Sequence, residues 1–519
     1  MSFRKALFMT VLFALVLSSA AVAIAQSDMP QRRGTVSGVC VAAITSLDPQ
    51  STQLGVCDAV VYDALYNQLI RVNTAGEILP EIAESWDVSD DGLTYTFHLR
   101  SGVSFHDGTA LDAEAVKFTI DRMRDPESES YIAGRLTAIE AVNVLDEATV
   151  EVVLNSFNAP FLSTLAGASA IVSPTAVAEY GDDYRFNAVG SGPFKLVSWT
   201  PGEEAVLERN ENYWEIGADG EPLPYLDGVV LTGIEDNTVR LLNLQSGEFD
   251  LNERILPRDV PTIESDPDLS VIETVNATAY TVTFNVSQPP FDDVRLRLAV
   301  QAALQPDALI ENLSRGIGYY ANFPFPLDAW YWVDEPRQVY DPDLARQLLA
   351  EAGYPDGLDV IYTHINRTVD AQMAQIVQAM LAQVGIRIEI QALERTSWLD
   401  IWLVGAGENT EGQMAGFQNG VSPGDPDGKA MFFQPGGIVN FADYNNEVAW
   451  GRIEDSRTTL DQAERAQAWA DLVAIQLEEA PYVWVGNIPV IGATRTRVQD
   501  VTLTPSSGWL LTRTWVNDA

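Results

Sequence analysis

The stretch from Leu358 to Ile390 constrains the fold more than any other part of the chain. Leu358 to Thr363 is an apolar run of strand length, and from about Asp370 to Val384 the residues Met373, Val377, Met380 and Val384 recur at helical spacing. Gly385 supplies a helix stop, after which Ile386, Ile388 and Ile390 alternate with polar neighbours as in a half-exposed strand. A strand-helix-strand succession of this kind predicts a parallel pair with the helix crossing over it, which places the chain in the α/β class. Upstream, Asp341-Pro342 reads as an N-cap with proline at the first helical position, Leu344 and Leu348 share a face, and Gly353 ends the helix. The chain opens similarly, with an apolar strand from Thr35 to Ile44 and helical spacing over Ala59 to Ile70. Between these regions Tyr95, Phe97 and Leu99 alternate in a strand, Asp107-Gly108 forms a turn, and a helix capped by Asp112 runs to Met123. No internal repeat or low-complexity tract is present, which disfavours solenoids and disordered scaffolds.

The first 25 residues read as a secretory signal. Arg4 and Lys5 provide the positive start, Ala6 to Leu17 the apolar stretch, and Ala23-Ile24-Ala25 the cleavage site, so the mature chain is expected to begin near Gln26. No Cys stands directly after the cleavage site, which argues for a free rather than lipid-attached protein outside the cytoplasmic membrane. Loss of Arg4 and Lys5 takes the formal charge from −42 to −44, and a surface this acidic excludes nucleic acid as a partner. Cys40 and Cys57 are the only cysteines; both lie in the exported part, where oxidising conditions favour a disulfide between them. A length of 519 residues argues for more than one lobe.

Motifs for catalysis are missing. The chain has three His, no His-Glu-x-x-His zinc pattern and no phosphate-binding Gly-Lys-Ser/Thr loop. His98 and His106 lack supporting ligand spacing for a metal, and Asp90-Asp91 and Asp425 with Asp427 stand beside Gly and Pro as turn residues do. The expectation is a binding protein with no cofactor and no metal.

Three runs carry a resemblance: Leu79 to Trp86, Ser89 to Arg100 and Gly102 to Thr109. Gly190-Ser191-Gly192-Pro193-Phe194, Gln245 to Asp250, Pro290-Phe291-Asp292-Asp293, Tyr340-Asp341-Pro342, Ala352 to Gly357, Asp425-Pro426-Asp427 and Ala480-Pro481-Tyr482 continue it in order. In these the chain resembles the extracellular solute-binding proteins of the peptide and nickel type that serve ABC importers. The resemblance implies a two-lobed, class II periplasmic-binding fold with a small extra domain in the first lobe. The first lobe would be discontinuous, with core segments at 34–66, 187–278 and 487–519 and the extra domain at 67–186; the second would span 279–486. The strands crossing between lobes would lie near Ala277–Thr281 and Val485–Ile488. It further implies a periplasmic monomer that captures an oligopeptide or oligosaccharide-like ligand and delivers it to a membrane permease. A sensor or holdase of the same fold, or a binder of nickel chelates, are the alternatives.

In open α/β sheets a ligand sits beyond the carboxyl ends of the strands, which singles out Thr45 and Ser46 after the first strand and Arg367 after Thr363. Arg367 can hold a carboxylate or pair with Asp370. The resemblance adds Phe417, Gln418, Asn419 and Asp425, and Trp398 and Trp509 offer flat surfaces for stacking. The acid that holds a peptide ammonium in dipeptide-binding members falls on Gly420 or Ser422, and the arginine that holds the peptide carboxylate falls on Ala371. Loss of both argues against a dipeptide specialist, because a zwitterion closed into the cleft would leave its charges unpaired.

Overall fold

The computed structural model describes residues 30–517 except 51–55, 74, 127–129, 131–132, 168, 335–337, 404–411, 421–423, 438 and 504–507. The expected signal segment, its cleavage site and Ser422 therefore lie outside the described residues.

One ten-stranded sheet runs through both lobes, in the order Ile386–Leu393, Leu358–Ile365, Met414–Gly420, Leu269–Phe284, Tyr482–Arg495, Leu251–Asn252, Thr35–Cys40, Gly228–Gly233, Ala205–Arg209, Phe194–Ser198. Its centre is an antiparallel pair of long strands, with Leu269 opposite Arg495 at one end and Thr283 opposite Tyr482 at the other. The register slips between Glu273 and Ala277, and again where Tyr280 faces Gly486 but Thr281 faces Trp484. Val485 is the extra residue of that second irregularity, and Gly486 takes up the bend at φ 149°, a conformation costly for any residue with a Cβ. These two strands join the lobes.

The predicted parallel unit is present. Strand Leu358–Ile365 pairs in parallel with Ile386–Leu393, connected by helix Thr368–Ala382. Met373, Val377, Met380 and Leu381 of that helix pack with Tyr280, Val282 and Phe284 of the crossing strand in the core of the second lobe. At the start of the chain the strand ends at Cys40 and the helix spans Val56–Leu65, shorter than the apolar spacing suggests. The helix stops because the following backbone pairs elsewhere: Ile171 N–H donates to Asn67 O and Leu69 N–H to Ser169 O.

A separate antiparallel sheet, Ala83–Val88, Thr94–Leu99, Thr149–Leu154 and Ile139–Asp146, carries helix Ala113–Arg124 on one face. Tyr95, Phe97, Val116, Ile120, Met123, Val150 and Val152 fill the space between them. Asp112 caps the helix by accepting from Ala115 N–H. The signature run from Gly102 to Thr109 fastens this unit to the first lobe: His106 donates through its backbone N–H to Gly190 O and through Nε2 to Gly192 O. Residue 192 must be glycine because a Cβ there would meet the backbone of Ala64 and Leu65. Burial lowers the His106 pKa to about 4, so this imidazole is a neutral structural link between parts of the chain.

Candidate functional site

Strand directions determine where a ligand can sit. Strand Leu251–Asn252 runs antiparallel to the second long strand and parallel to Thr35–Cys40, which is itself parallel to Gly228–Gly233. In the other lobe Met414–Gly420 runs antiparallel to the first long strand and parallel to Leu358–Ile365. Since the two long strands travel between the lobes in opposite senses, both sets of strands point their carboxyl ends at each other. The crevice favoured in open α/β sheets is thus formed twice, face to face.

On the first lobe the loop after Cys40 is held from three sides. The Cys40–Cys57 disulfide, with Cα atoms 5.7 Å apart, ties the strand end to the next helix. Buried Asp58 accepts from Thr45 N–H at 2.7 Å and from Thr45 Oγ1 at 2.6 Å, and buried Glu253 accepts from Val41 N–H at 3.0 Å. Thr45 is exposed at the rim, whereas Ser46 is turned inward and caps Asp48 N–H. Burial raises the pKa of Glu253 to about 7, against the opposing effects of Val41 N–H, Arg254 and Arg240. Arg254, absent from the sequence expectations, follows on the same turn. Its N–H donates to Asn252 Oδ1, and Ile255 N–H returns to Ile491 O of the second long strand. Glu253 is turned inward and Arg254, half-buried, is its outward neighbour.

On the second lobe Arg367 occupies the N-cap of helix Thr368–Ala382. Its Nε donates to Asp370 Oδ2 at 2.6 Å, and Gln418 Nε2 donates to Asp370 Oδ1 at 3.2 Å. Asp370 is 1% exposed and Arg367 47% exposed, so a buried carboxylate fixes the base of a guanidinium whose head reaches solvent. Burial raises the Asp370 pKa, and Arg367, His364 and Gln418 oppose that rise. Tyr280 of the crossing strand stands opposite Gln418 in the register. Burial raises its phenol pKa first and Asp370 adds to the rise, while Arg367 and Arg254, from opposite lobes, both pull it down.

Other expected site residues stand elsewhere. Trp509 is 1% exposed and lies against Gly38 in the first-lobe core, so the stacking surface expected of it is already covered. Trp398 is buried against Trp402, Phe417 and Phe441, and Phe417 belongs to the same aromatic core. Asp425 gives both carboxylate oxygens to Arg465 at 2.7 Å in a buried bidentate pair, which occupies the oxygens a ligand would need. Asn419 pairs through its backbone with Ala279; its side chain is outside the described residues. The structure brings together Arg367, Asp370 and Gln418, with Tyr280 in register with Gln418, while Thr45 and Arg254 follow strands Thr35–Cys40 and Leu251–Asn252 of the first lobe.

Residues 77–440 match the family described as bacterial extracellular solute-binding proteins, family 5. The chain belongs to this family. As a solute-binding protein it is 29% identical over 478 residues to the glutathione-binding protein GsiB of Pectobacterium atrosepticum, covering 90% of this chain and 91% of that one. It superimposes with a TM-score of 0.76, at 26% identity and over 96% of its length, on the whole of the periplasmic binding protein DppA from Helicobacter pylori in complex with peptide STSA. A TM-score of 0.76 at 25% identity, over 94% of this solute-binding protein and 99% of the other, relates it to AgaA from A. tumefacien R10 in complex with agropinic acid.

Proposed function

We propose that this protein captures a small peptide-like solute bearing a free carboxylate between its lobes and delivers it to an ABC permease, working as a free periplasmic monomer without catalysis. The observation that carries this reading is the anchored guanidinium of Arg367. Among the described residues its hydrogen bonding runs through Nε to Asp370, which leaves the Nη edge, the fork suited to a carboxylate, on the open side. Arg367 lies one helical turn before Ala371, the position where dipeptide-binding members carry their carboxylate-holding arginine, and residues so spaced share a helix face. The glutathione-binding, peptide-bound and agropinic-acid-bound relatives support a carboxylated ligand. Burial of Trp398, Trp402, Trp484 and Trp509 removes much of the aromatic surface that sugar stacking would use.

The test is a thermal-shift titration of the mature protein with short peptides, their C-terminal amides, oligosaccharides and metal chelates, since a ligand that binds only the folded state raises its apparent stability. Stabilisation by peptide acids and not by their amides is expected. Stabilisation by an oligosaccharide alone would overturn the reading.

A further inference from the structure

The unit built on the four-stranded sheet touches the second lobe directly, and it does so at two glycines. One contact comes from the tip of the hairpin formed by Ile70–Val72 and Ile78–Pro80. The tip is firm: Asn73 donates through its N–H to Glu77 O and accepts from Glu77 N–H through Oδ1, and Gly76 N–H returns to Asn73 O. Gly76 is buried under the second lobe, since a Cβ on it would stand 3.3 Å from Trp330 Cδ1 and 3.3 Å from Tyr331 Cε1. The other contact runs the opposite way. A Cβ on Gly424 would meet Val72 Cγ2 of the hairpin and Ser163 Oγ of helix Phe161–Ala166, each at 2.7 Å. Side chains from each lobe thus close over a bare glycine of the other.

Both faces of this contact are braced from behind. On the second lobe Asp425, next to Gly424, is gripped by Arg465, Arg465 lies over the Trp330 ring at 5.3 Å, and the Tyr331 hydroxyl hydrogen-bonds to the Gly424 backbone. On the first, Val72 packs with the core under the four-stranded sheet, which His106 ties to Gly192. Firm surfaces that leave no room for a methyl group at Gly424 fit in one arrangement of the lobes and must part when the lobes swing open. We propose that the hairpin tip and the second-lobe surface of Trp330, Tyr331 and Gly424 form a clasp that holds the lobes shut. Contacts between the lobes themselves then weight the open–closed equilibrium independently of any solute. A solute held between the lobes leaves only when they part, so the clasp also slows its escape. Asp425 and Arg465 are positioning residues of this device: their pair fixes Gly424 and Trp330 where the hairpin meets them.

A cysteine pair reports the clasp with no ligand added. A Cβ on Gly424 lies 3.4 Å from Val72 Cβ, close to the spacing within a disulfide. The Val72→Cys/Gly424→Cys mature protein should therefore cross-link under mild oxidation at a rate set by its closed population, with peptide mapping to locate the bond. Adding Trp330→Ala, which loosens the other half of the clasp, should slow that reaction about tenfold, the effect of losing one half-buried apolar contact. Trp330→Phe, which keeps a ring beside Arg465, should fall between. Without the added cysteines, Trp330→Ala should speed hydrogen exchange of the hairpin amides at 70–80, in the opposite lobe, by a similar factor. If the cysteine pair does not fold, the exchange measurement alone decides. A folded pair that never cross-links, or cross-linking and hairpin exchange that both ignore Trp330→Ala, would overturn the proposal.

Discussion

Arg465 holds Asp425 through two parallel hydrogen bonds of 2.7 Å, with only 5% and 8% of the two side chains exposed. Arg465 also donates through Nε to Ser456 O and lies over the Trp330 ring at 5.3 Å, so one guanidinium braces three segments of the second lobe. Removing one partner of such a pair strands a buried charge. Asp425→Ala should therefore cost about 3–5 kcal/mol of stability. Urea denaturation followed by tryptophan fluorescence measures this; a loss under about 1 kcal/mol would mean that the pair is effectively solvated.

The Cys40–Cys57 bond closes a short loop, with a sequence separation of 17. Loop-closure arguments give about 3 kcal/mol for a ring of that size. A Cys40→Ser/Cys57→Ser variant should unfold at lower temperature than wild type by calorimetry. It should also bind ligand more weakly, because the loop carrying Thr45 begins at this staple. Unchanged affinity in the folded variant would show that Asp58 and Glu253 hold the loop without it.

Stability should rise on mild acidification. Asp63, Glu81 and Glu253 each have a pKa raised to about 7 by burial, with the Glu81 charge also opposing ionisation of Asp63, whereas unfolded carboxyls titrate near about 4. An acid whose folded pKa is raised gives a contribution fully present below its unfolded value and lost as pH climbs through its folded one. Stability from these three groups thus falls between about pH 4 and pH 7. His106, lowered to about 4, works the opposite way, losing stability as pH falls from about 6.5. Lys429, lowered to about 7 by burial, acts only above that pH, where stability declines as pH falls toward 7. Three carboxyls against one imidazole predict a higher melting temperature near pH 5 than near pH 7, and Glu253→Gln should flatten the slope. Scanning calorimetry across that range decides it; a melting temperature that climbs with pH would contradict the assignment.

The parts of this protein that the sequence makes legible are those with periodicity. Met373, Val377 and Met380 announce the helix, Ile386, Ile388 and Ile390 the strand, and their succession the parallel unit. Arg254 carries no such signal. It follows a strand of two residues, Leu251–Asn252, too short for alternation to register. The nearest clue is Asp250, whose carboxylate serves Ser37 and Arg497 and so anchors the strand that places Arg254. Aromatic residues mislead for another reason: Trp398 and Trp509 could serve a ligand face or a core equally well by composition, and only packing against Trp402 and Gly38 distinguishes the two. Asp425 looks like a turn residue with free oxygens until helix Gln462–Glu479 brings Arg465 to it from 40 positions away.

The most direct test of the central claim is native mass spectrometry of the protein purified from its source without unfolding, followed by release and identification of whatever it retains. A retained small peptide or other carboxylate-bearing solute, bound one to one and lost in the Arg367→Ala variant, is the predicted result. A retained neutral saccharide, or a ligand held equally well by Arg367→Ala, would contradict the account.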